Sequence, residues 1–591
     1  MNALLFRLSV AFSLVLLPAG AQDERNTNVP NTDTHFDAPS YPTLGAWEAR
    51  RRVLRDQILI GAGLMPMPAK TPLHPQVFGR LDRDGYSIEK VYLETLPGYF
   101  LGGNLYRPRG KTGKLPGILI AHGHWEYGRL ENQSLNSTPK QGITMARQGY
   151  IVFAYDMVGY NDTIQTTHDF GGPREQLWSF GPLSLQLWNS IRALDFLLSL
   201  DGVDAERVGI TGASGGGTQT LLLTAVDDRI RFSAPVNMVS AIMQGGCVCE
   251  NAPGLRRGTN NVEIAALAAP RPMILISGPQ DWTKNVAQEE YPAIRRIYEL
   301  YGKAENVANA VVDAPHNYNQ ESREDVYRFL AKHVAGVSDL SSLSENEIAV
   351  ERLQDMLVLQ GRSLPGGALD YAGLFASWRD WSQQAAAAEK DPNVLRERLA
   401  ITLNAEWPEQ VDAETSGTAV TLTRKGRRER IPGAWFPGQG RAVLLLHPGG
   451  SDAAQATEAF RDLRKNGRPV LVIDAFQSGR AAAPRDRSGT HFLTFNVTDD
   501  AARVQDVLTA LAYLRSQMKA PVELVGLEKS SVWALFAAAL APPDTVFSPN
   551  LGKFAGKDED YIRDFFVPGI QKVGGVDAAM RVHVLTAPSN R

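Results

Sequence analysis

The sequence predicts an α/β protein: a mostly parallel sheet with helices on both faces, followed by a second unit that repeats the plan in reduced form. Three observations carry this prediction. From residue 117 onward, short continuous apolar runs alternate with stretches of helical periodicity, the pattern of strands buried on both faces. Gly212-Ala-Ser214-Gly-Gly216 joins one such run, 208–211, to a helical stretch beginning at Thr218. After residue 408 the order of apolar run, His-bearing loop, apolar run, long helix and glycine turn returns.

A chain of 591 residues is too long for one ordinary domain, and 43% apolar with 21% charged residues is a globular composition. A net charge of −3 leaves no electrostatic footprint for nucleic acid or a membrane surface. Arg7, the apolar run 8–17 and the small residues 18–21 read as a signal peptide cleaved after Ala21. That run is too short to span a bilayer, so the expected product is exported, periplasmic or extracellular, and free of the membrane after cleavage. The two cysteines, Cys247 and Cys249, stand too close for an unstrained disulfide, and two thiolates alone do not complete a zinc site. They are expected as small residues packed in a loop, with a redox or metal role as the alternative.

Taken in order, residues 26–41 form a polar leader expected to be exposed. Residues 47–64 carry Trp47, Val53, Leu54, Ile58 and Leu59 at helical spacing, with Arg50-Arg51-Arg52 as a solvated face and Pro66 and Pro68 as the stop. Residues 86–93 and 99–106 alternate around Pro97-Gly98 as two antiparallel strands. The parallel core follows, with strands at 117–121, 150–155, 208–211, 232–236, 273–277 and 308–312. Helices are expected near 141–148, 185–200, 218–225, 287–301 and 322–334.

In such sheets the reactive groups collect at the carboxyl ends of the strands. Gly-x-Ser-x-Gly between strand and helix is a turn too tight for side chains at its glycines, with the serine hydroxyl at its apex, so Ser214 is the candidate nucleophile. Asp281 follows the strand at 273–277 and His316 the strand at 308–312, which puts acid and base in the order Ser, Asp, His. His316 would accept the serine proton and Asp281 would orient the imidazole, with Asp313 as second choice for the acid. The loop after Ala121 is His122-Gly123-His124-Trp125. The amides of His124 and Gly215 are the candidate oxyanion donors. A metal on His122 and His124 is a rival reading, weakened by the absence of a nearby carboxylate cluster in the sequence; no metal and no cofactor are expected. Trp125, Glu126, Arg129 and Trp178 are candidate substrate-binding residues, with Asp156 and Arg174 as further candidates.

Gly-His-Trp-Glu-Tyr-Gly-Arg at 123–129, Tyr-Asp-Met-Val-Gly-Tyr at 155–160, Leu-Trp-Asn-Ser-Ile-Arg-Ala-Leu-Asp-Phe-Leu at 187–197, Thr-Gly-Ala-Ser-Gly-Gly-Gly-Thr-Gln-Thr at 211–220, Met-Gln-Gly-Gly-Cys-Val-Cys-Glu-Asn at 243–251 and His-Asn-Tyr-Asn at 316–319 resemble exported bacterial α/β-hydrolases of the acetyl xylan esterase-like group. The resemblance covers residues 47–336. It implies an α/β-hydrolase fold and a serine carboxylesterase that removes acetyl groups from plant polysaccharide, with Ser214, Asp281 and His316 as its triad. The chain departs from the better-known acetyl xylan esterases at two positions: Gly215 where they have Gln, and His124 where they have Tyr.

The expected domains are 1–21 (signal peptide), 22–340 (catalytic unit), 341–407 (helical connector) and 408–591 (degenerate hydrolase-like unit). In the last, 442–446 followed by His447-Pro-Gly-Gly matches 117–121 and its loop, and 469–474 matches 151–156. Gly526 falls under Gly212 and Glu528 under Ser214, while 581–588 is read as the strand before Asp281, with Asn590 under the acid. The second unit therefore lacks nucleophile, acid and base. The rival for this half is an independent site using Glu528, His447 or His491. For the whole chain, the expected partner is an acylated carbohydrate or small ester. A serine peptidase of the prolyl-oligopeptidase or dipeptidyl-peptidase type is an alternative, and a non-catalytic carbohydrate-binding relative is an alternative of another class.

Overall fold

The computed structural model describes residues 22–38, 40–336, 343–345, 348–518 and 521–586. The expected signal peptide at 1–21 and Asn590 lie outside the described residues.

The first unit is a nine-stranded sheet in the order β1-β2-β3-β5-β4-β6-β7-β8-β9. Its strands are β1 (Gln76–Arg83), β2 (Tyr86–Leu96), β3 (Tyr99–Pro108), β4 (Leu115–Ala121), β5 (Ile151–Tyr155), β6 (Val203–Ala213), β7 (Phe232–Val236), β8 (Met273–Ser277) and β9 (Val307–Val311). β1 to β3 pair antiparallel and β3 pairs antiparallel with β5, after which every ladder from β5 to β9 is parallel. Alternation along each strand sends side chains to opposite layers. Leu119, Phe153 and Ile210 meet the helices Pro182–Ser199 and Gly215–Val226, whereas Ile118, Ile120 and Val152 meet Thr138–Gln148 and Gln320–Leu330. This is the α/β-hydrolase fold that the sequence predicts. β1 was not anticipated: six of its eight residues are exposed and none is buried, which leaves little apolar signal.

The second sheet is β10-β11-β12-β14-β13-β15-β16, with β10 (Val411–Ser416), β11 (Ala419–Arg424), β12 (Ile431–Phe436), β13 (Val443–Leu446), β14 (Val470–Ile473), β15 (Glu523–Gly526) and β16 (Val546–Phe547). Its order and directions repeat those of β1-β2-β3-β5-β4-β6-β7, strand for strand. Among the described residues nothing corresponds to β8 and β9. The strand expected at 581–588 is corrected: Gly575–Thr586 is an α-helix. A short run such as Val-His-Val-Leu reads as strand or buried helix with equal ease, and here tertiary packing selects the helix.

The two units are not separate beads. One continuous apolar core runs from Leu185 and Leu222 through Trp378, Leu395 and Leu399 to Leu511 and Phe536. The helix Leu44–Gly61 buries Trp47, Leu54, Ile58 and Leu59 but leaves Val53 exposed, and Arg50 pairs with Glu263 rather than facing solvent alone. The N-terminal leader is likewise tied down: Arg25 pairs with the buried Asp506, and Asn496 Nδ2 donates to the Pro30 carbonyl.

Candidate active site

The turn after β6 has the geometry that the glycines foretell. Ser214 has φ 58° and ψ −127°, a conformation that a side-chain-bearing residue adopts only under constraint. A Cβ on Gly212 would lie 2.3 Å from the Ala121 carbonyl oxygen, and one on Gly216 2.0 Å from the same atom. The turn is therefore pressed against the end of β4, and only glycine fits at either position. The loop after β4 crosses beside it: a Cβ on Gly123 would lie 3.1 Å from Ser214 Cβ and 3.0 Å from Trp125 Nε1. The serine and the Trp125 indole thus flank the same glycine.

Asp281 and His316 come together from the ends of β8 and β9. His316 Nδ1 donates to Asp281 Oδ2 at 2.8 Å, and the Asp281 side chain is fully buried. That bond fixes the tautomer and leaves His316 Nε2 as a buried lone pair without a protein partner. The His316 ring packs with two indoles, Trp282 at 4.2 Å and Trp125 at 6.0 Å between centroids. Its loop is held from below, since Asn237 Nδ2 donates to the Asn317 carbonyl at 3.1 Å and Tyr318 and Thr211 share a hydroxyl hydrogen bond of 2.6 Å. Asp313 instead accepts from Gln280 on the surface.

The other predicted residues separate. Glu126 is exposed on the loop and Trp125 is half-buried beside His316. Arg129 is corrected as a substrate-binding residue: it is fully buried, paired with Asp156 and, at 2.5 Å, with Asp162. Trp178 is corrected too, because it is buried and donates from Nε1 to Asp558 at 2.9 Å, across to the second unit, where Arg174 also pairs with Asp558 at 3.0 Å. Trp282 was missed, although its place directly after Asp281 was a usable signal. A cleft of about 670 Å³ between the units, lined by Phe170, Phe180, Val248, Arg487 and Phe492, is a separate space that none of Ser214, Asp281 and His316 lines.

His122 and His124 part company. His122 Nδ1 donates to the Gly123 carbonyl at 2.7 Å and its Nε2 accepts from the Met157 amide at 2.8 Å. Burial pushes its pKa down to about 3, so it is a neutral fastener with no lone pair left for a metal. The His124 ring packs on Gly215, where a Cβ would come within 2.5 Å of its Cε1. Its Nε2 points the other way, to His168 Nε2 at 3.1 Å and Cys249 Sγ at 3.2 Å, while Cys247 Sγ lies 3.3 Å from His168 Nε2. The cysteines are free, but they are not mere packing. The hydrogen bond from Cys249, opposed by burial and helped by His124 and His168, draws the Cys247 thiol down to about 2.

No family model matches the chain. It is similar to the solved structure of Methylesterase BT1017, with 29% identity, a TM-score of 0.50, and coverage of 59% of this chain and 78% of that one. The "Putative hydrolase YtaP" of Bacillus subtilis (strain 168) is 25% identical over 236 residues, 36% of this chain and 77% of that protein. An acetyl xylan esterase from Paenibacillus sp. R4 covers 50% of this chain and 96% of its own, with 18% identity and a TM-score of 0.33. The chain is an esterase-like hydrolase. Among the described residues no helix is long and apolar enough to cross a membrane.

Proposed function

We propose that the chain is an exported serine carboxylesterase that removes acyl groups, acetyl foremost, from carbohydrate. The observation that carries this reading is His316, whose Nδ1 is held by the buried Asp281 while its Nε2 is buried without a protein partner, and whose ring stacks with Trp125, the indole that flanks Gly123 together with the strained Ser214. In this mechanism Ser214 Oγ attacks the acyl carbonyl as His316 Nε2 takes the hydroxyl proton. Asp281 holds the imidazole and stabilises its charged form. The oxyanion meets the amides of Gly215, at the start of a helix whose first amides have no intrahelical acceptor, and of His124. The sugar hydroxyl leaves with the proton from His316, and water then repeats the sequence to free the acid. Trp125, Trp282 and Glu126 border the acyl and sugar positions. The signal-peptide pattern of residues 1–21 accords with a polysaccharide substrate met outside the cytoplasm.

The second unit is a degenerate hydrolase relative without chemistry of its own. The likeness to a methylesterase favours a second reading, in which the same serine cleaves a methyl ester of an acidic sugar and the alcohol that leaves is methanol. A matched panel separates the two: acetylated xylan, a methyl-esterified polyuronide and a peptide amide, each assayed with wild type and Ser214→Ala. Acetate release from xylan that disappears in the variant is the expected result. Methanol release alone selects the second reading, and hydrolysis of the peptide alone, or activity that survives Ser214→Ala, overturns the esterase reading.

A further inference from the structure

We propose that His124, His168, Cys247 and Cys249 bind one zinc ion in a closed His2Cys2 site that pins the loop after β4 against the nucleophile turn. The four donor atoms lie within 4.8 Å of one another, although they come from three stretches of chain far apart in sequence. A tetrahedron with Zn–N of about 2.05 Å and Zn–S of about 2.3 Å has edges of about 3.3 Å between nitrogens and about 3.6 Å between nitrogen and sulfur. The corresponding separations here are 3.1 Å for His124 Nε2 to His168 Nε2, 3.2 Å for His124 Nε2 to Cys249 Sγ, and 3.3 Å for Cys247 Sγ to His168 Nε2.

The orientation of His168 points the same way. Its Nδ1 donates to the Val158 carbonyl at 2.6 Å, so its Nε2 presents a lone pair toward the other three donors. A backbone carbonyl on the far nitrogen is the usual way a metal-bound histidine is oriented. Donor softness and the two-nitrogen, two-sulfur set select zinc, and with all four positions filled by protein the site is structural, leaving no place for a bound water.

What such a site would do follows from its neighbours. The His124 ring touches Gly215 with one edge and the cluster with the other. The two departures from the better-known acetyl xylan esterases are therefore one feature, since a side chain at 215 would occupy the space of the His124 ring. The cysteine loop is anchored to the nucleophile helix by Thr218 Oγ1 donating to Glu250 Oε1 at 3.0 Å. From the other side the second unit holds the same loop, with Thr494 Oγ1 donating to the Asn251 carbonyl at 2.8 Å and the Arg256 amide donating to the Thr494 carbonyl at 3.0 Å.

The proposal is independent of the substrate reading, because metal content is measured without turnover. The full-length chain, purified with reductant and without chelator, is expected to carry about one zinc per chain. Both thiols should resist alkylation until a strong chelator is added, and cobalt exchanged into the protein should show a thiolate charge-transfer band. His168→Ala and Cys247→Ser should each lower retained zinc about tenfold or more with the circular dichroism unchanged. The alkylation and cobalt measurements use wild type alone, so they hold even if a variant misfolds. Wild type that retains less than about a tenth of an equivalent after zinc loading, with both thiols freely alkylated or joined as a disulfide, would overturn the site, as would variants that hold zinc as well as wild type.

Discussion

Ser214 and Glu528 stand at the apex of the same turn in two units of one chain. Both have left-handed backbone angles, φ 58° and φ 50°, and each follows a glycine two residues earlier that is pressed against the helix it introduces: Gly212 against Gly216, Gly526 against Ser530 and Ser531. The surroundings differ. On the Ser214 side, the Trp125 indole that shares Gly123 with Ser214 stacks with His316, whose partner Asp281 is buried, the two coming from the ends of β9 and β8. Glu528 is 68% exposed, and His447 Nε2 lies 3.7 Å from its carboxylate. No counterpart of β8 or β9 occurs among the described residues of the second sheet. The strained turn is thus a property of the strand-turn-helix crossing, and in the proposed mechanism chemistry depends on the two further strands, whose ends carry Asp281 and His316.

Substitutions on each side of this comparison should differ by orders of magnitude. Ser214→Ala should lower kcat/KM for a short acyl ester by roughly 10⁴-fold or more while melting stays near wild type, because only the covalent step is removed. Asp281→Asn should cost on the order of 10³-fold, since the imidazole loses the anion that orients it and supports its charge; a change under tenfold would separate Asp281 from the mechanism. Gly215→Gln should cost roughly 10²-fold, because its Cβ would meet both His124 and Met157 at about 2.5 Å and displace an oxyanion donor. The same variant should also lose zinc, a coupling read by metal analysis on the sample used for the assay.

Smaller effects belong to the second unit. Asp558→Leu strands the buried Trp178 Nε1–H at the join between units and should reduce stability by about 1–3 kcal/mol in a denaturant titration, with kcat on a small ester little changed. Glu528→Gly relieves a left-handed residue and should raise stability by about 0.5–1 kcal/mol with the ester rate within about twofold of wild type. A tenfold fall in that rate would mean that the second turn has chemistry after all.

The catalytic candidates were legible because each polar residue ends a continuous apolar run, and such runs can be read one at a time. The metal cluster was not legible, since His124, His168 and the two cysteines lie in different loops and meet only when the sheet has formed. Burial was equally hidden: Arg129 and Trp178 look like pocket residues in sequence, and only packing shows Arg129 closed in by Asp156 and Asp162 and Trp178 spent on Asp558. The strands β10 to β12 were missed as well, and the edge strand β10 was missed for the reason that β1 was. An edge exposes one side and carries little apolar signal, as in β10, where five of six residues are exposed.

In the proposed mechanism one serine, in the first unit, does the chemistry. A fluorophosphonate reacts with a serine only where a base activates it, so labelling the full-length protein and mapping the peptides tests the claim directly. One adduct is expected, on Ser214, whose formation tracks loss of esterase activity and is abolished by Asp281→Asn or His316→Ala. An adduct on any residue of the second unit, or complete inactivation with Ser214 unmodified, would contradict it.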